Sequence, residues 1–434
     1  MSHFAVVAPP LYSHFQALEA LAVTLIGRGH RVTFVHRAAA RPLIRDARIN
    51  FTAIDTPTAA FRSGHRAFAM RASALSIRRV IVDMAASTDE LASALPPLLD
   101  RLGVDAVIAD QMEAAGGLVA EGVGLPFVSV ACALPVDREA GLPLPVMPFS
   151  YATDARARQQ YAASERIYDW LMRPHARVIA THAARFGLGR REALHHCLSP
   201  LGQISQTPAT LDFPRQALPA HFHAVGPLRS PTSARGGRWT IDADRPFVFA
   251  SFGTLQGHRF GLFEKVARAC RRIGARLLVA HCGGLTAHQA RRLQSRGATF
   301  VTDFADQHAA LAQADAVVTH GGLNTVLDAI TAETPMLVIP LAFDQPGVAA
   351  RVAWHGLGER ASRFASAGQI AEGLSRLLAS DDYRQRLAAS REGLISAGGV
   401  ERAARLVEAA LVTRTAGDAR ATGQAAQPQP AVVS

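Results

Sequence analysis

Residues 304–345 read FADQHAALAQADAVVTHGGLNTVLDAITAETPMLVIPLAFDQ, and this stretch decides the fold. In its middle an apolar run ends at His320, two glycines follow, and the apolar residues then return with helical spacing. This pattern predicts a buried strand, a tight turn where glycine lets the backbone approach a ligand, and a helix start. The first N–H groups of a helix are unpaired and lie at the positive end of its dipole. The turn therefore predicts an anion site, with Asn324 and Thr325 in the first helical turn.

A second apolar run, residues 336–340, predicts the neighbouring strand. It is followed by Asp344 and Gln345, near the carboxyl end of that strand, where open α/β sheets bind their ligands. Taken singly, a His-Gly-Gly turn and an Asp-Gln pair are common features of ordinary turns and helix starts. Together they suit a diphosphate whose other end carries a sugar.

Two series of alternating strand and helix patterns run along the rest of the chain. The first begins with a strand at 4–8, a helix from His14 and a strand at 32–35, and it continues to a strand at 127–130. The second begins with a strand at 247–251 and includes the quoted stretch. Alternation of this kind predicts parallel sheets with right-handed crossovers. The predicted fold class is α/β, with two doubly wound domains.

Composition shifts predict the boundaries of these domains. We expect an N-terminal domain at 1–221, a Ser-, Gly-, Pro- and Arg-rich linker at 222–240 and a C-terminal domain at 241–385. Helical patterns continue at 386–412. Residues 413–434 are mostly Ala, Gly, Gln, Pro and Ser and are predicted to form a disordered tail.

The basic residues are not distributed like those of a nucleic-acid-binding protein. The 434-residue chain has a net charge of +11, from 46 basic and 35 acidic residues, and Lys265 is its only lysine. The arginines are spread along the chain and aromatic residues make up only 6%. A nucleic-acid surface would cluster its basic residues and interleave aromatics. We therefore expect no nucleic-acid partner.

The cysteines and the hydropathy pattern bear on the cellular compartment. Cys132, Cys197, Cys270 and Cys282 lie far apart and form no CxxC pair, so neither a zinc site nor a disulfide framework is predicted. No signal-peptide pattern is visible at the start. No apolar run approaches the ~18 residues that a membrane span needs. These features predict a cytoplasmic protein.

One pair of residues is a candidate general base. His14 follows the first predicted strand, and Asp110 ends a later strand of the same sheet. Parallel strands open their carboxyl ends at one edge, so the two side chains are expected in facing loops. A carboxylate behind a histidine fixes the tautomer and stabilises the imidazolium. Alone, each residue is also compatible with an ordinary helix start.

No metal site is predicted. Asp242 and Asp244 match a D-x-D pattern, but they stand in linker-like sequence, where turn chemistry is the better interpretation. His195 and His196 are adjacent and would point to different sides of a helix, so they would not share a metal ion.

The chain, up to its tail, resembles the UDP-glucosyltransferase family of inverting glycosyltransferases, which have the GT-B fold. Within that family it looks like the bacterial zeaxanthin glucosyltransferases. The residues that carry the likeness are the quoted stretch, APPLYSH at 8–14, VACALP at 130–135, YDWLM at 168–172 and SFGTLQGHRFGLF at 251–263. The resemblance implies two Rossmann-like domains facing across a cleft. The N-terminal domain would bind the acceptor, the C-terminal domain would bind the nucleotide sugar, and 386–412 would pack back toward the N-terminal domain.

The resemblance also implies a set of donor-binding residues. They are Thr254, Phe304, Ala305, Gln307, His320, Gly322, Asn324, Thr325, Asp328, Asp344 and Gln345. Phe304 stands where the family usually stacks an aromatic on uracil, with the Ala305 backbone and Gln307 at the nucleoside. Asp328 stands where family members usually have a Glu that hydrogen-bonds the ribose, and aspartate is one methylene shorter. Leu323 stands where plant relatives have a Trp.

The remaining donor-binding residues would hold the diphosphate and the sugar. His320, Gly322, Asn324 and Thr325 would contact the diphosphate, with Thr254 assisting from another loop. Asp344 and Gln345 would hydrogen-bond the glucose hydroxyls.

The implied reaction is a single in-line displacement. His14, with Asp110 behind it, would take the proton from an acceptor hydroxyl, and the oxygen would attack the anomeric carbon of UDP-glucose to give a β-glucoside. UDP-glucose is a co-substrate, and neither a cofactor nor a metal is expected. The implied acceptor, zeaxanthin, is a carotenoid with a hydroxyl at each end. Because it resides in membrane, we hypothesise peripheral membrane contact through 59–86 or the Pro-rich 142–149.

Three alternatives remain open at this stage. In the first alternative, the acceptor is a different lipophilic aglycone, such as a polyketide, a macrolide or a flavonoid-like compound. Alternatively, the protein epimerises nucleotide sugars, or it is a non-catalytic nucleotide-sugar-binding or carotenoid-carrier protein.

Overall fold

The computed structural model describes residues 1–54, 74–229, 239 and 244–424, and these residues form two parallel sheets. The first sheet has the order β3-β2-β1-β4-β5-β6-β7. Its strands are β1 (His3–Val7), β2 (Arg31–His36), β3 (Asn50–Ala53), β4 (Ala106–Asp110), β5 (Phe127–Ala131), β6 (Gln203–Ser205) and β7 (Phe222–Ala224). Strands β1, β4 and β5 are buried along their whole length, because helices cover both faces of the sheet.

Among the described residues before the second domain, four α-helices accompany the first sheet. They are α1 (Tyr12–Gly27), α2 (Ala74–Leu102), α3 (Ala114–Gly122) and α4 (Ala155–Arg185). Asp154 caps the long α4 by accepting a hydrogen bond from the backbone N–H of Ala157. Short 3-10 turns lie at Ala38–Leu43 and Leu194–Cys197.

The second sheet has six parallel strands in the order β10-β9-β8-β11-β12-β13. They are β8 (Phe247–Ser251), β9 (Arg276–Ala280), β10 (Phe300–Thr302), β11 (Ala316–Thr319), β12 (Met336–Val338) and β13 (Gly358–Arg360). The remaining helices are α5 (Gly253–Gln256), α6 (Phe260–Arg272), α7 (Ala287–Arg296), α8 (Gln307–Gln313), α9 (Leu323–Thr331), α10 (Gln345–Trp354), α11 (Ala367–Ala379), α12 (Asp382–Ser396) and α13 (Gly399–Gln424).

The strand orders predict where each sheet would bind a ligand. In the first sheet the order reverses between β1 and β4, and in the second between β8 and β11. Such a switch point opens a crevice at the carboxyl ends of the strands. His14 and Asp110 follow or end the first pair of strands, and the loops holding Thr254 and His320 follow the second pair. The topology therefore places the candidate catalytic pair and the candidate diphosphate turn at the two crevices.

The structure changes two of the predicted boundaries. The linker was expected to begin at 222, but β7 is paired with β6 and belongs to the first sheet. The tail was expected to be disordered from 413, but α13 continues as a helix to Gln424. Residues 425–434 lie outside the described part of the chain.

The helices expected to pack back onto the N-terminal domain divide into two groups. In α12, Leu387 and Leu394 belong to the core of the second domain. In α13, Ala403 and Val407 belong to the core of the first domain, beside Leu18 of α1. The return crossing is therefore made by α13.

None of the helices within the described residues is both long and apolar enough to cross a lipid bilayer. Of the segment 59–86 proposed for membrane contact, residues 59–73 lie outside the described part of the chain, and the rest belongs to α2.

Candidate active site

One cavity of about 1780 Å³ lies between the two domains and is lined by residues of both. A pocket for one small ligand typically measures about 300–1,000 Å³, so this cavity has room for two substrates. Every one of the predicted donor-binding residues lines it, and so does His14. Asp110 lies directly behind His14.

The expected meeting of His14 and Asp110 is confirmed. His14 lies in the first turn of α1, is 6% exposed, and its Nδ1 is 2.7 Å from Oδ2 of Asp110. Asp110 is 1% exposed, and its other oxygen accepts a hydrogen bond from the backbone N–H of Met112 at 2.9 Å. The carboxylate therefore holds Nδ1–H of the ring, which leaves Nε2 as the proton acceptor. The catalytic role of the pair stays a prediction.

Electrostatics favour a proton on His14. Burial alone would lower the pKa of this imidazole, but the Asp110 charge, its hydrogen bond and the more distant Asp344 charge together outweigh burial. The pKa of His14 therefore lies above its ordinary value of 6.5. A base with a raised pKa is a stronger proton acceptor, and it must be deprotonated before it can act.

Cys132 stands beside this pair, which the sequence analysis did not anticipate. Potential ligand atoms of His14, Asp110 and Cys132 lie within 4.8 Å of one another. Burial raises the pKa of the Cys132 thiol well above its usual value of 9.0, so without a bound cation the sulfur is protonated. The expectation that the enzyme works without metal stays a prediction.

The glycines of the second crevice make room for His320. Gly321 has φ of +83°, and a Cβ there would lie 2.7 Å from Cγ1 of Val338, so only glycine fits. A Cβ on Gly322 would lie 2.7 Å from Nε2 of His320, and one on Gly253 would lie 2.8 Å from its Cε1. The ring fills the space that these two glycines leave.

Burial lowers the pKa of His320 to about 4, so at neutral pH the ring is uncharged and offers a single N–H donor. Gly322 caps α9 without a side chain, so no side chain occupies the first N–H groups of this helix. The helix start is therefore open to an anion, and the anion site predicted there stays a prediction.

Asn324 has neighbours in the other domain. Its Nδ2 donates to the carbonyl of Ser13 at 3.1 Å, and its Oδ1 accepts from Nε2 of Gln206 at 3.3 Å. Ser13 immediately precedes His14. The predicted diphosphate residue thus touches the loop of the predicted base, while Thr325 donates to Oε1 of Gln307 at 3.3 Å.

Asp328, the predicted ribose contact, has protein partners at both carboxylate oxygens. Oδ1 accepts a hydrogen bond from Nε of Arg229 at 3.1 Å, and Oδ2 accepts one from Nε2 of Gln307 at 2.6 Å. The residue is 5% exposed. Both oxygens already have protein partners, so any contact with a ribose hydroxyl would add to these bonds. Arg229, in the predicted linker, was not anticipated as a site residue.

Phe304 and Thr254 are exposed within the cavity. Phe304 is 67% exposed, so one face of its ring is open for stacking. Ala305 packs at the edge of the second domain's core and holds this loop in place.

Asp344 and Gln345 lie at the N-terminus of α10. Asp344 Oδ2 accepts a hydrogen bond from the backbone N–H of Leu134 at 3.3 Å, across the cleft. Burial raises the pKa of Asp344, against the opposing effects of the Leu134 N–H and of His14. Gln345 Oε1 accepts from the backbone N–H groups of Leu341 and Ala342 at 2.9 and 2.8 Å. The Gln345 oxygen is therefore engaged, and its amide N–H groups are the part available to a sugar.

The cavity lining also includes parts of α2 and α4, and we call this portion, which is mostly apolar but also contains Arg166 and His175, the apolar arm. Its lining includes Ile81, Met84, Met112, Met147, Trp170 and Met172. Flexible methionines adapt to the shape of an apolar ligand. The arm therefore fits a lipophilic molecule whose end reaches His14.

Comparisons with known proteins agree with this arrangement. A family model described as "UDP-glucoronosyl and UDP-glucosyl transferase" matches residues 5–389. A protein named "Zeaxanthin glucosyltransferase" from Pantoea ananas is 52% identical over 417 residues, which is 95% of this chain and 97% of that protein. A protein of the same name from Pseudescherichia vulneris is 52% identical over 414 residues, which is 95% of this chain and 98% of that protein.

Solved structures confirm the predicted fold class. The glycotransferase of kitacinnamycin superposes with a TM-score of 0.73 at 20% identity, over 94% of this chain and 99% of its own. CalG4, the calicheamicin glycosyltransferase, superposes with a TM-score of 0.72 at 19% identity, over 95% of this chain and 98% of its own. At these identities the likeness is one of fold.

Proposed function

Because this chain belongs to the family of UDP-glucoronosyl and UDP-glucosyl transferases, we propose that it transfers glucose from UDP-glucose to the hydroxyl groups of zeaxanthin. The products are the mono- and di-β-glucosides. The observation that carries the proposal is the single cavity, which joins the His14–Asp110 pair, the glycine turn and an apolar arm. The two relatives named for this reaction support the choice of donor and acceptor.

In this mechanism His14 is the general base. Nε2 takes the proton from an acceptor hydroxyl as its oxygen attacks the anomeric carbon from the face opposite UDP. Asp110 keeps the ring in the required tautomer and stabilises the imidazolium that forms. One displacement at carbon inverts the configuration, so an α-linked donor gives a β-glucoside.

The leaving UDP acquires negative charge as its bond to glucose breaks. The uncapped N-terminus of α9 and the neutral N–H donor of His320 are positioned to stabilise this charge. These groups take the place of a metal ion, so we propose that the reaction requires neither a metal nor a bound cofactor. Thr254, Gly322, Asn324 and Thr325 complete the contacts to the diphosphate.

The two ends of UDP-glucose are held by different parts of the second domain. Phe304 stacks on uracil, with Ala305 and Gln307 beside the nucleoside. Asp344 accepts hydrogen bonds from the glucose hydroxyls, and Gln345 donates to them. In this proposal the anomeric carbon faces His14.

The function is tested by supplying purified protein with UDP-glucose, with and without zeaxanthin, and separating the products chromatographically. We expect one UDP released per glucoside formed, with the monoglucoside appearing before the diglucoside. Conversion of UDP-glucose to another nucleotide sugar without acceptor would indicate an epimerase. Transfer only to other aglycones would change the acceptor, and binding without turnover would indicate a carrier.

We also propose that the mouth of the apolar arm rests on a membrane that holds the acceptor. Of the two segments named above, 142–149 is disfavoured because Leu142 and Leu144 are only 6% exposed. By contrast, Trp170 on α4 lines the cavity and is 60% exposed, and Ile167 on the same helix is 58% exposed. The exposed Arg166 and Arg173 flank them on the same helix and suit anionic headgroups.

This contact is tested by sedimenting the protein with anionic and with neutral vesicles. We expect Ile167→Ser combined with Trp170→Ser to reduce binding to anionic vesicles. A matched pair, Phe364→Ser combined with Ile395→Ser, removes equally exposed apolar residues elsewhere and should leave binding unchanged. If wild-type protein stays in the supernatant with anionic vesicles, the membrane proposal is wrong.

A further inference from the structure

The interdomain segment places a guanidinium group inside the donor site. Arg229 Nε donates to Asp328 Oδ1 at 3.1 Å, and its NH2 group donates to the carbonyl of Asn324 at 3.1 Å. Both acceptors belong to α9, the helix whose start forms the candidate diphosphate site. The Arg229 side chain is 24% exposed and lines the cavity.

The same guanidinium also contacts the first domain. Its NH1 group donates to Gln206 Oε1 at 3.3 Å and to the carbonyl of Leu228 at 3.1 Å. Gln206 is fully buried, and its Nε2 donates to the carbonyl of Cys132 at 3.1 Å and to Asn324 Oδ1 at 3.3 Å. Arg229 and Gln206 therefore connect the first turns of α9 to the loop beside the His14–Asp110 pair.

The positive charge of Arg229 balances the negative charge of the Asp328 carboxylate. Asp328 is nearly buried, and a buried carboxylate requires a cation or several hydrogen bonds. Without Arg229, the remaining partners of this carboxylate among the described residues would be Gln307, which donates to Oδ2, and His308, whose Nε2 lies 4.0 Å from the same oxygen. Aspartate is one methylene shorter than glutamate, so fixing its position matters more for a ligand that approaches from the cavity.

We propose that Arg229 is a positioning residue for the donor nucleotide. It fixes the Asp328 carboxylate and the first turns of α9, and donor binding depends on it more than proton transfer does. The inference rests on the proposed function, since it names the donor site of that reaction. It assigns a role in donor affinity to a residue of the interdomain segment.

The test measures the affinity of UDP by calorimetry and the steady-state constants of Arg229→Met. We expect UDP to bind about 10- to 100-fold more weakly, because bonds to charged groups are lost. KM for UDP-glucose should rise in proportion, whereas kcat at saturating donor and KM for zeaxanthin should change little. Arg190→Met, which removes an exposed guanidinium paired only with Glu192 in the described residues, is the matched control and should bind UDP like wild type.

Two further variants keep the test decisive if Arg229→Met does not fold. Arg229→Lys retains the charge without the planar fork, and we expect an intermediate loss of UDP affinity. Asp328→Asn should also weaken UDP binding, and combining it with Arg229→Lys should cost less than the sum of the two single changes. Wild-type UDP affinity in a folded Arg229 variant, or strictly additive effects, would overturn the proposal. Failure of wild-type protein to bind UDP would instead count against the proposed function.

Discussion

Replacing Asp110 with asparagine tests the proposed base directly, because the side chain keeps its shape and loses its charge. The 2.7 Å bond from His14 to the Asp110 carboxylate strengthens when the imidazolium forms, because both partners are then charged. A hydrogen bond to a charged group contributes about 1.5–3 kcal/mol. Each ~1.4 kcal/mol is a tenfold change in rate, so kcat should fall about 10- to 150-fold. His14→Ala removes the base itself and should cost up to about 10⁴-fold.

The pH dependence gives the same test an independent measurement. The neutral imidazole is the active form, so kcat/KM falls as pH drops through the pKa of His14, which lies above 6.5 in the wild-type protein. In Asp110→Asn the carboxylate charge and its hydrogen bond no longer raise this pKa, while burial still lowers it. The acid limb should therefore move to lower pH.

The assay is UDP release with saturating zeaxanthin, from about pH 5 to about pH 9, the range that brackets histidine titration. The chain offers a matched control, since Asp89 accepts a 2.7 Å hydrogen bond from His182 outside the cleft. Asp89→Asn should leave both kcat and the acid limb unchanged. An Asp110→Asn profile that coincides with that of wild type would refute the assignment of His14 as the base.

Three further predictions concern the leaving group, the domain interface and metals. His320→Ala should lower kcat about 10²-fold, as expected for loss of one donor to developing charge, measured at saturating donor and acceptor. Arg351→Met should reduce the free energy of unfolding by about 1.5–3 kcal/mol, because Asp212 loses one charged hydrogen bond across the interface but stays paired with Arg215 at 2.7 Å. Arg384→Met, which breaks a half-exposed pair with Asp315, should cost no more than about 1 kcal/mol in the same denaturant titration. Chelation with EDTA should leave UDP release unchanged, and restoration of lost activity by a divalent cation would contradict metal independence.

The sequence was sufficient to predict the features that depend on short-range pattern and topology. An apolar run, a glycine turn and a helical period identified β11 and α9 because each step is a local backbone requirement. The meeting of His14 and Asp110 followed from one rule, that parallel strands open their carboxyl ends at the same edge.

Features that depend on distant packing were not predictable in this way. Arg229 and Asp328 are 99 residues apart, and no local pattern links an interdomain arginine to a carboxylate on α9. The strand Phe222–Ala224 has only three residues, too few for a periodic signal, and is defined by its pairing with β6. The end of α13 was placed too early because composition suggested disorder. A helix already nucleated by packing on α1 extends at little cost.

The geometry also links closure of the two domains to the strength of the base. Asp344 belongs to the second domain, yet its charge helps to raise the pKa of His14 in the first. This coupling requires the closed arrangement, in which Leu134 donates to Asp344 across the cleft. Opening the cleft would remove the Asp344 charge, which raises the pKa of His14, and would relieve part of the burial that lowers it. Adding Asp344→Asn to Asp110→Asn should therefore move the acid limb further down in pH, because the remaining distant charge is then lost too. An acid limb that stays where Asp110→Asn alone puts it would show that the two carboxylates do not act on the same imidazole.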